Sequence, residues 1–158
     1  MHQKDIITNI TVASYGELDA ADRLLVDQAR AATHRSYAPY SRFCVGAALL
    51  LDNGEIISGS NQENAAYPSG LCAERTTAFY AHSRFPEARF VAIAIAARDT
   101  GGDEISDPVS PCGACRQSLL EYEKLAGKGI KVLLVGANEI YILPSVASLL
   151  PLSFTEIV

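Results

Sequence analysis

Three cysteines in two groups constrain the fold of this chain more than any other feature. Cys72 opens Cys-Ala-Glu, and Cys112 and Cys115 stand in Pro-Cys-Gly-Ala-Cys, with Cys112 following Cys72 by 40 residues. Each group marks the change from loop-like sequence to good helix formers, which predicts two helix N-termini. Backbone N–H groups and the helix dipole stabilise thiolates there. A fold that points all three sulfurs at one ion must bring these helix N-termini together.

A set of three cysteine ligands favours a catalytic zinc site over a structural one. Three protein ligands leave a fourth position open for water, whose pKa the ion lowers. Glu74 follows Cys72 by two residues, close enough to touch that water without being a ligand, as a proton shuttle would. Three thiolates and one Zn²⁺ leave an excess negative charge. Arg75 is the candidate to offset it, by donating hydrogen bonds to a thiolate.

Length, composition and charge exclude several classes of protein. A chain of 158 residues with 49% hydrophobic residues suits one globular domain over 1–158. The net charge of −5 disfavours polynucleotide binding, and no two Lys or Arg residues are adjacent, so no polybasic membrane patch exists. Residues 1–11 lack the features of a signal peptide. We expect a cytoplasmic protein that binds neither nucleic acid nor membrane, with cysteines as thiols or metal ligands.

Apolar periodicity and turn signals predict a layered α/β sheet covered by helices. Loop-like sequence occupies 61–71 and 98–111, and Asp52-Asn53-Gly54 indicates a hairpin turn. A capping-box spacing at Ser14–Glu17 suggests the start of the first helix. The predicted helices are 17–36, 72–82, 112–124 and 145–150, and the predicted strands are 43–51, 55–60, 90–97, 131–135 and 140–143.

Two other readings of the cysteines remain open from the motifs alone. Cys112 and Cys115, opening a helix after a strand and a loop, have the outline of a redox dithiol. That reading leaves Cys72-Ala73-Glu74 unexplained. Cys44 could instead complete a structural site of four cysteines, but it lies in an apolar strand and is more simply a small core residue.

Four ordered blocks and a C-terminal tail are more specific than the zinc motif alone. The blocks are Tyr-Ala-Pro-Tyr-Ser-Arg-Phe at 37–43 with Val-Gly-Ala-Ala at 45–48, Asn-Gln-Glu-Asn-Ala-Ala-Tyr-Pro at 61–68, Cys-Ala-Glu-Arg-Thr at 72–76, Ser-Pro-Cys-Gly-Ala-Cys-Arg-Gln at 110–117, and the tail is Leu-Leu-Pro at 149–151 followed by Phe154. In this order they resemble the signatures of the small, homotetrameric zinc-dependent cytidine deaminases. The resemblance runs from Tyr37 to Phe154, about three quarters of the chain.

The resemblance implies a three-layer α/β fold with a mixed sheet of about five strands covered by helices. It implies hydrolytic deamination of cytidine and deoxycytidine in pyrimidine salvage, with one Zn²⁺ per subunit and Glu74 as the catalytic group. Small members are homotetramers with shared active sites. The implied substrate contacts are Asn61 and Glu63 to the ribose 3′-hydroxyl, Phe43 to the base and sugar, the Ala73 backbone to the pyrimidine edge, and Ala65, Tyr67 and Phe154 from neighbouring subunits.

The chain departs from the family pattern at three places, none of them a metal ligand or Glu74. Cys44 stands where Pro or Val is common, Ala66 where Cys or Ser is common, and the loop 98–107 is longer. Rival substrates are deoxycytidylate, an aminonucleoside antibiotic such as blasticidin, and a base in RNA. The loop 61–70 offers no cation to a phosphate. A zinc-binding scaffold without activity is a further alternative, against which the intact Glu74 argues.

Overall fold

The computed structural model describes residues 1–99 and 101–155. Within these residues, the regular structure consists of three α-helices and six strands, and short 3₁₀ helices occupy Tyr15–Glu17, Tyr67–Ser69 and Val146–Leu149. The bounds in chain order are β1 Thr11–Ala13, α1 Ala20–Thr33, β2 Cys44–Leu51, β3 Ile56–Ser60, α2 Ala73–Arg84, β4 Phe90–Arg98, α3 Gly113–Ala126, β5 Lys131–Val135 and β6 Ile140–Leu143.

The strands form one mixed sheet in the order β1-β6-β5-β4-β2-β3. All neighbouring pairs are antiparallel except β4 and β5. Because β3 and β4 both run antiparallel to β2, they point the same way and end at the same edge of the sheet. The helix after β3 is α2 and the helix after β4 is α3. This topology brings the N-termini of α2 and α3 to one edge.

Helices cover both faces of the sheet and give the fold three layers. One apolar cluster combines α2 and α3 with side chains such as Leu49 and Ile93, and the other combines α1 with Ala48 and Ala94. Successive residues of β2 and β4 therefore alternate between the two cores, as expected where both faces are buried. The three-layer α/β prediction is confirmed. None of the helices among residues 1–99 and 101–155 is long and apolar enough to cross a bilayer.

The predicted number of strands, about five, is one too low. Strand β1 has three residues and pairs with β6 from Thr11 opposite Ile142 to Ala13 opposite Ile140. So short a strand carries no alternation that can be read from sequence. Its stability comes from partners more than 120 residues away along the chain, which local patterns do not report.

The first and the last predicted helices differ most from the structure, and the predicted 17–36 is α1 at Ala20–Thr33. The Ser14–Glu17 capping box forms, but it closes a 3₁₀ turn, and α1 begins only at Ala20 because Asp19 accepts a hydrogen bond from the Asp22 backbone as the N-cap. The predicted last helix is the 3₁₀ helix Val146–Leu149. Strands β5 and β6 have the predicted bounds.

Close contact between α1 and β2 depends on Gly46. A Cβ at this position would overlap the Ala29 carbonyl oxygen and lie 2.6 Å from the Thr33 nitrogen. Both obstacles are helix backbone, which cannot rotate away as a side chain can. Because Gly46 has no side chain, α1 can pack at this short distance from the sheet.

We expect Gly46→Ala to destabilise the fold by about 1–3 kcal/mol, because α1 must move away from the sheet to admit the methyl group. Urea unfolding should show a lower midpoint with an unchanged slope. Gly16→Ala is the matched control, since a Cβ there meets nothing within 4 Å. Equal midpoints for the two variants would contradict the close-contact argument.

Candidate metal centre and adjoining cavity

The three predicted metal ligands lie at the first turns of α2 and α3. Cys72 is the N-cap of α2 and Cys112 the N-cap of α3, and neither side chain caps its own helix. Cys115 lies in the first turn of α3 and is buried. Both thiols at the N-caps are thus available to a ligand, while the backbone N–H groups of two helix starts surround the cluster.

The separations of the three sulfurs fit a tetrahedral zinc ion. Cys72 Sγ lies 3.8 Å from Cys112 Sγ, which lies 3.5 Å from Cys115 Sγ, and all three sulfurs are within 4.8 Å of one another. Two sulfurs bound to one tetrahedral zinc at about 2.3 Å are about 3.8 Å apart. The donor set of three thiols suits Zn²⁺. This cluster can hold one metal ion.

The four-cysteine alternative has no geometric support. Cys44 is a separate half-buried thiol at the start of β2. Among residues 1–99 and 101–155, the groups that could hold an ion contain only Cys72, Cys112 and Cys115. The three-cysteine reading therefore accounts for the cluster without Cys44.

The pKa values of the Cys72 and Cys115 thiols are shifted in opposite directions. The pKa of Cys72 is lowered to about 5, first because Cys115 donates a hydrogen bond to its sulfur, and also because Arg75 donates to it. The pKa of Cys115 is raised, because its proton lies in that bond and because it is buried. A thiolate is thus present in the cluster at neutral pH. A divalent cation displaces the remaining thiol protons when it binds.

Glu74 lies beside the cluster in the first turn of α2 and is only 4% exposed. Burial raises the pKa of its carboxyl above the usual value, and the nearby Cys72 thiolate raises it further. The charge of Arg75 acts in the opposite direction. A carboxyl group with a raised pKa accepts and returns protons more readily near neutral pH than an ordinary one.

Arg75 contacts the cluster from the same turn of the helix. Its Nη2 lies 3.9 Å from Cys72 Sγ, within hydrogen-bonding distance for sulfur, and the thiolate raises the pKa of the guanidinium. The buried Nε has no hydrogen-bond partner among the described residues. The guanidinium is therefore a partly desolvated positive charge next to the thiolates, where it offsets their negative charge.

A cavity of about 570 Å³ opens beside Cys72 and Arg75. Its volume suits a small molecule of nucleoside size. The remaining lining residues come from the segments before β2 and after β3: Tyr40, Ser41, Asn61, Gln62, Glu63, Asn64, Tyr67, Gly70 and Leu71.

Asn61 and Glu63 line this cavity and also hold its walls together. The Asn61 side-chain amide accepts from the Val45 N–H at 2.8 Å and donates to the Phe43 carbonyl at 2.9 Å. One Glu63 carboxylate oxygen accepts from the Tyr40 N–H at 2.8 Å. The Ser41 hydroxyl, together with this backbone donor, holds the pKa of Glu63 below its usual value. Glu63 is therefore ionised at neutral pH.

The other predicted substrate residues differ from one another in their burial and in whether they line the cavity. Tyr67 lines the cavity, Phe43 is half-buried beside Asn61, and Ala73 is buried directly after Cys72. Ala65 and Phe154 are exposed. The Phe154 ring is not part of the cavity lining on its own chain.

Sequence reasoning did not assign Tyr40 to the site. Its ring packs edge-on against Tyr67, with ring centroids 6.1 Å apart, and both residues line the cavity. In the sequence it could equally be a core aromatic. The available signal was its place in the first of the four family blocks, between Pro39 and Ser41.

Comparison with known families agrees with this geometry. The family model for the cytidine and deoxycytidylate deaminase zinc-binding region matches residues 19–126. The chain belongs to this family. The match spans α1 to the end of α3 and includes the three cysteines, Glu74 and Arg75. Membership leaves the redox-dithiol reading without support, because a zinc-binding region explains both cysteine groups together.

Individual relatives carry the same family name. A cytidine deaminase of Halalkalibacterium halodurans is 48% identical over 101 residues, covering 63% of this chain and 70% of its own. Among solved structures, cytidine deaminase from Burkholderia pseudomallei is 38% identical with a TM-score of 0.69, over 83% of this chain and 97% of that one. The enzyme from Mycobacterium tuberculosis is 34% identical with a TM-score of 0.66, over 87% and 100% of the two chains.

We expect Cys112→Ala to lose bound zinc and Cys44→Ala to retain it, because only the former removes a sulfur of the cluster. Purified proteins should be dialysed against a mild chelator and assayed for zinc by atomic emission. The wild type and Cys44→Ala should hold about one ion per chain. Loss of zinc from Cys44→Ala would return the four-cysteine site to consideration.

Proposed function

We propose that this chain catalyses the hydrolytic deamination of cytidine and deoxycytidine to uridine and deoxyuridine, releasing ammonia, in pyrimidine salvage. The observation that carries the proposal is the buried Glu74 carboxyl beside a three-thiol metal site, one of whose cysteines, Cys72, lines a cavity of nucleoside size. Family membership and the named relatives support the same reaction.

In this proposal Cys72, Cys112 and Cys115 hold one Zn²⁺, which when bound lets water act as a nucleophile near neutral pH. Glu74 takes a proton from that water and delivers it to N3 of cytosine, which makes C4 electrophilic. The water oxygen bonds to C4. Glu74 then takes the second proton from this oxygen and delivers it to the amino group, so that a C4=O bond forms as the C4–N bond breaks and ammonia leaves. Arg75 keeps the local charge in balance by donating to the Cys72 thiolate.

The cavity walls are proposed to bind the nucleoside. Asn61 retains a second amide hydrogen and a second lone pair beyond its contacts with Phe43 and Val45, so it can also contact a hydroxyl group. The ionised Glu63 carboxylate accepts hydrogen bonds and would bind the ribose 3′-hydroxyl together with Asn61. Phe43 would pack on the base and sugar, and the Ala73 backbone would contact the pyrimidine edge.

Charge favours an unphosphorylated substrate. Arg75 is the sole basic side chain among the described residues that line the cavity, and it is engaged with Cys72. Glu63 adds a negative charge to the same wall. Among the described lining residues, a 5′-phosphate or an RNA backbone would find no cation other than the engaged Arg75, and the chain carries a net charge of −5.

We further propose a cytoplasmic homotetramer of single-domain subunits, 1–158, with shared active sites. In it, Ala65, Tyr67 and Phe154 contribute to a neighbouring site. Exposed aromatic side chains support an assembly of this kind: Phe79 and Tyr80 are adjacent and both face outward from α2. Large exposed apolar residues that cluster are typical of subunit interfaces.

The experiment that tests the proposal offers the zinc-loaded protein cytidine, deoxycytidine, deoxycytidylate, blasticidin and adenosine, and follows ammonia release from each. We expect turnover of the first two only. Activity confined to the last three substrates would refute the proposed substrate, and no activity on any of them with a full complement of zinc would favour a binding scaffold.

Replacing Glu74 with Gln should lower kcat for cytidine by about 10²–10⁴-fold while zinc stays bound, because the amide has a similar shape but cannot shuttle protons. Zinc content and kcat should be measured on the same preparations. Exposed Glu87→Gln, in the turn after α2, serves as the matched control. Near-normal turnover of the Glu74 variant would remove this residue from the mechanism.

Arg75→Gln should move the acid limb of the pH profile of kcat/KM to higher pH. Glu74 must be ionised to accept the first proton, burial already raises its pKa, and the Arg75 charge lowers it. Removing that charge raises the pKa further, so more of the enzyme is inactive at a given low pH. Arg84→Gln, at the other end of α2, should leave the profile unchanged. Identical profiles for all three proteins would contradict the assigned role.

A further inference from the structure

The C-terminal segment 149–155 is fastened to α3 by three side chains of that helix. Arg116 Nη1 donates to the Leu149 carbonyl at 2.8 Å, and Gln117 Nε2 donates to the Phe154 carbonyl at 2.9 Å. Lys124 Nζ donates to the Thr155 carbonyl. The main chain of the segment is therefore tied to the helix at both of its ends.

Gln117 and Lys124 form one anchor. They are seven residues apart, which is close to two helical turns, so their side chains leave α3 on the same face. Arg116 differs, because it also donates to the Pro111 carbonyl and the Ser110 hydroxyl and so belongs to the loop before Cys112. The anchor of Gln117 and Lys124 fixes the end of the segment.

The anchor holds main chain while leaving apolar side chains in solvent. Leu152 is 86% exposed and Phe154 is 66% exposed. Polar contacts to two successive carbonyls restrain the Phe154 backbone without burying its ring. Within one subunit this arrangement gains little hydrophobic burial, but it keeps an aromatic ring in a defined position for another surface.

We propose that Gln117 and Lys124 are positioning residues, which hold the main chain of Phe154 and Thr155 so that the Phe154 ring enters the nucleoside cavity of a neighbouring copy of this chain. The inference rests on the proposed function, in which Phe154 contributes to a neighbouring site. The same helix that carries Cys112 and Cys115 thereby also sets the position of a substrate-contacting ring.

The expected effect is on substrate binding and not on chemistry. An unrestrained tail must be ordered each time the nucleoside binds, which weakens binding by about 0.7–1.4 kcal/mol for one ordered side chain, or about 3- to 10-fold. The metal ligands and Glu74 are untouched by a change in the tail. KM should therefore rise while kcat stays within about 2-fold of the wild type.

The test is the double variant Gln117→Met/Lys124→Met, which keeps unbranched side chains of similar length but removes both donors. Its KM for cytidine should rise about 3- to 10-fold. The single variant Lys124→Arg keeps a donor at position 124 and the wild-type Gln117, so its KM should stay close to that of the wild type. Ser118→Ala and Glu121→Gln are controls on the same helix whose side chains do not hold the tail.

A cycle with Phe154→Ala separates positioning from a general structural effect. If the anchor acts through the ring, removing the anchor from a Phe154→Ala protein should change KM by less than about 1.5-fold, because coupled residues are not additive. Additive effects, or an unchanged KM in the double variant, would overturn the inference. Sedimentation should verify that every variant keeps the assembly state of the wild type.

A readout independent of activity separates this inference from the proposed function. The ¹H–¹⁵N heteronuclear NOE of the Phe154 and Thr155 amides reports motion on the picosecond-to-nanosecond scale. It should fall in the double variant and stay high in Ser118→Ala. Equal NOE values in the wild type and the double variant would overturn the anchor, whereas a wild type that releases no ammonia from cytidine would refute the proposed function.

Discussion

The site depends on the meeting of two helix N-termini at one edge of the sheet. Strands β3 and β4 point the same way because both are antiparallel to β2, so the helices that follow them begin side by side. Cys72 and Cys112 occupy the two N-caps and leave their own helices uncapped by side chains. The helix dipoles and first-turn N–H groups then favour negative charge at the point where three sulfurs converge.

The concentration of negative charge determines the roles of the neighbouring residues. Three cysteine sulfurs and the Glu74 carboxyl group lie close together in a partly buried volume, and Arg75 brings a positive charge. Two neighbouring charges act on Glu74: the Cys72 thiolate raises its pKa and the Arg75 guanidinium lowers it. A proton shuttle needs a pKa high enough to hold a proton briefly and low enough to be ionised at the start of the reaction. Burial raises the Glu74 pKa most, and the thiolate and the guanidinium then shift it in opposite directions.

Sequence patterns predicted the parts of the fold and site that local rules govern. The helix starts at Cys72 and Cys112 follow from composition and position, and β5 and β6 follow from short apolar runs between turns. Patterns failed where distant partners decide the outcome. Strand β1 pairs only with the distant β6 among the described strands, and Tyr40 lines the cavity in contact with Tyr67, a residue from another segment. The capping box at Ser14 formed as the motif predicts, yet Asp19 determines where α1 begins.

Backbone hydrogen bonds of the segment that follows β3 hold part of the cavity wall in place. Tyr37 and Asn61 share a backbone hydrogen bond of 3.0 Å, and Gln62 and Leu71 exchange a pair at 2.8 and 2.9 Å. The Asn61 amide joins this wall to the start of β2, the strand between β3 and β4. The same strands therefore position both the wall of the nucleoside cavity and the thiols of the metal centre. In such an arrangement a substitution at Asn61 acts on both the cavity wall and the β2 backbone. Its effects on affinity and on stability are therefore physically coupled, and a side chain that only contacted substrate would not couple them.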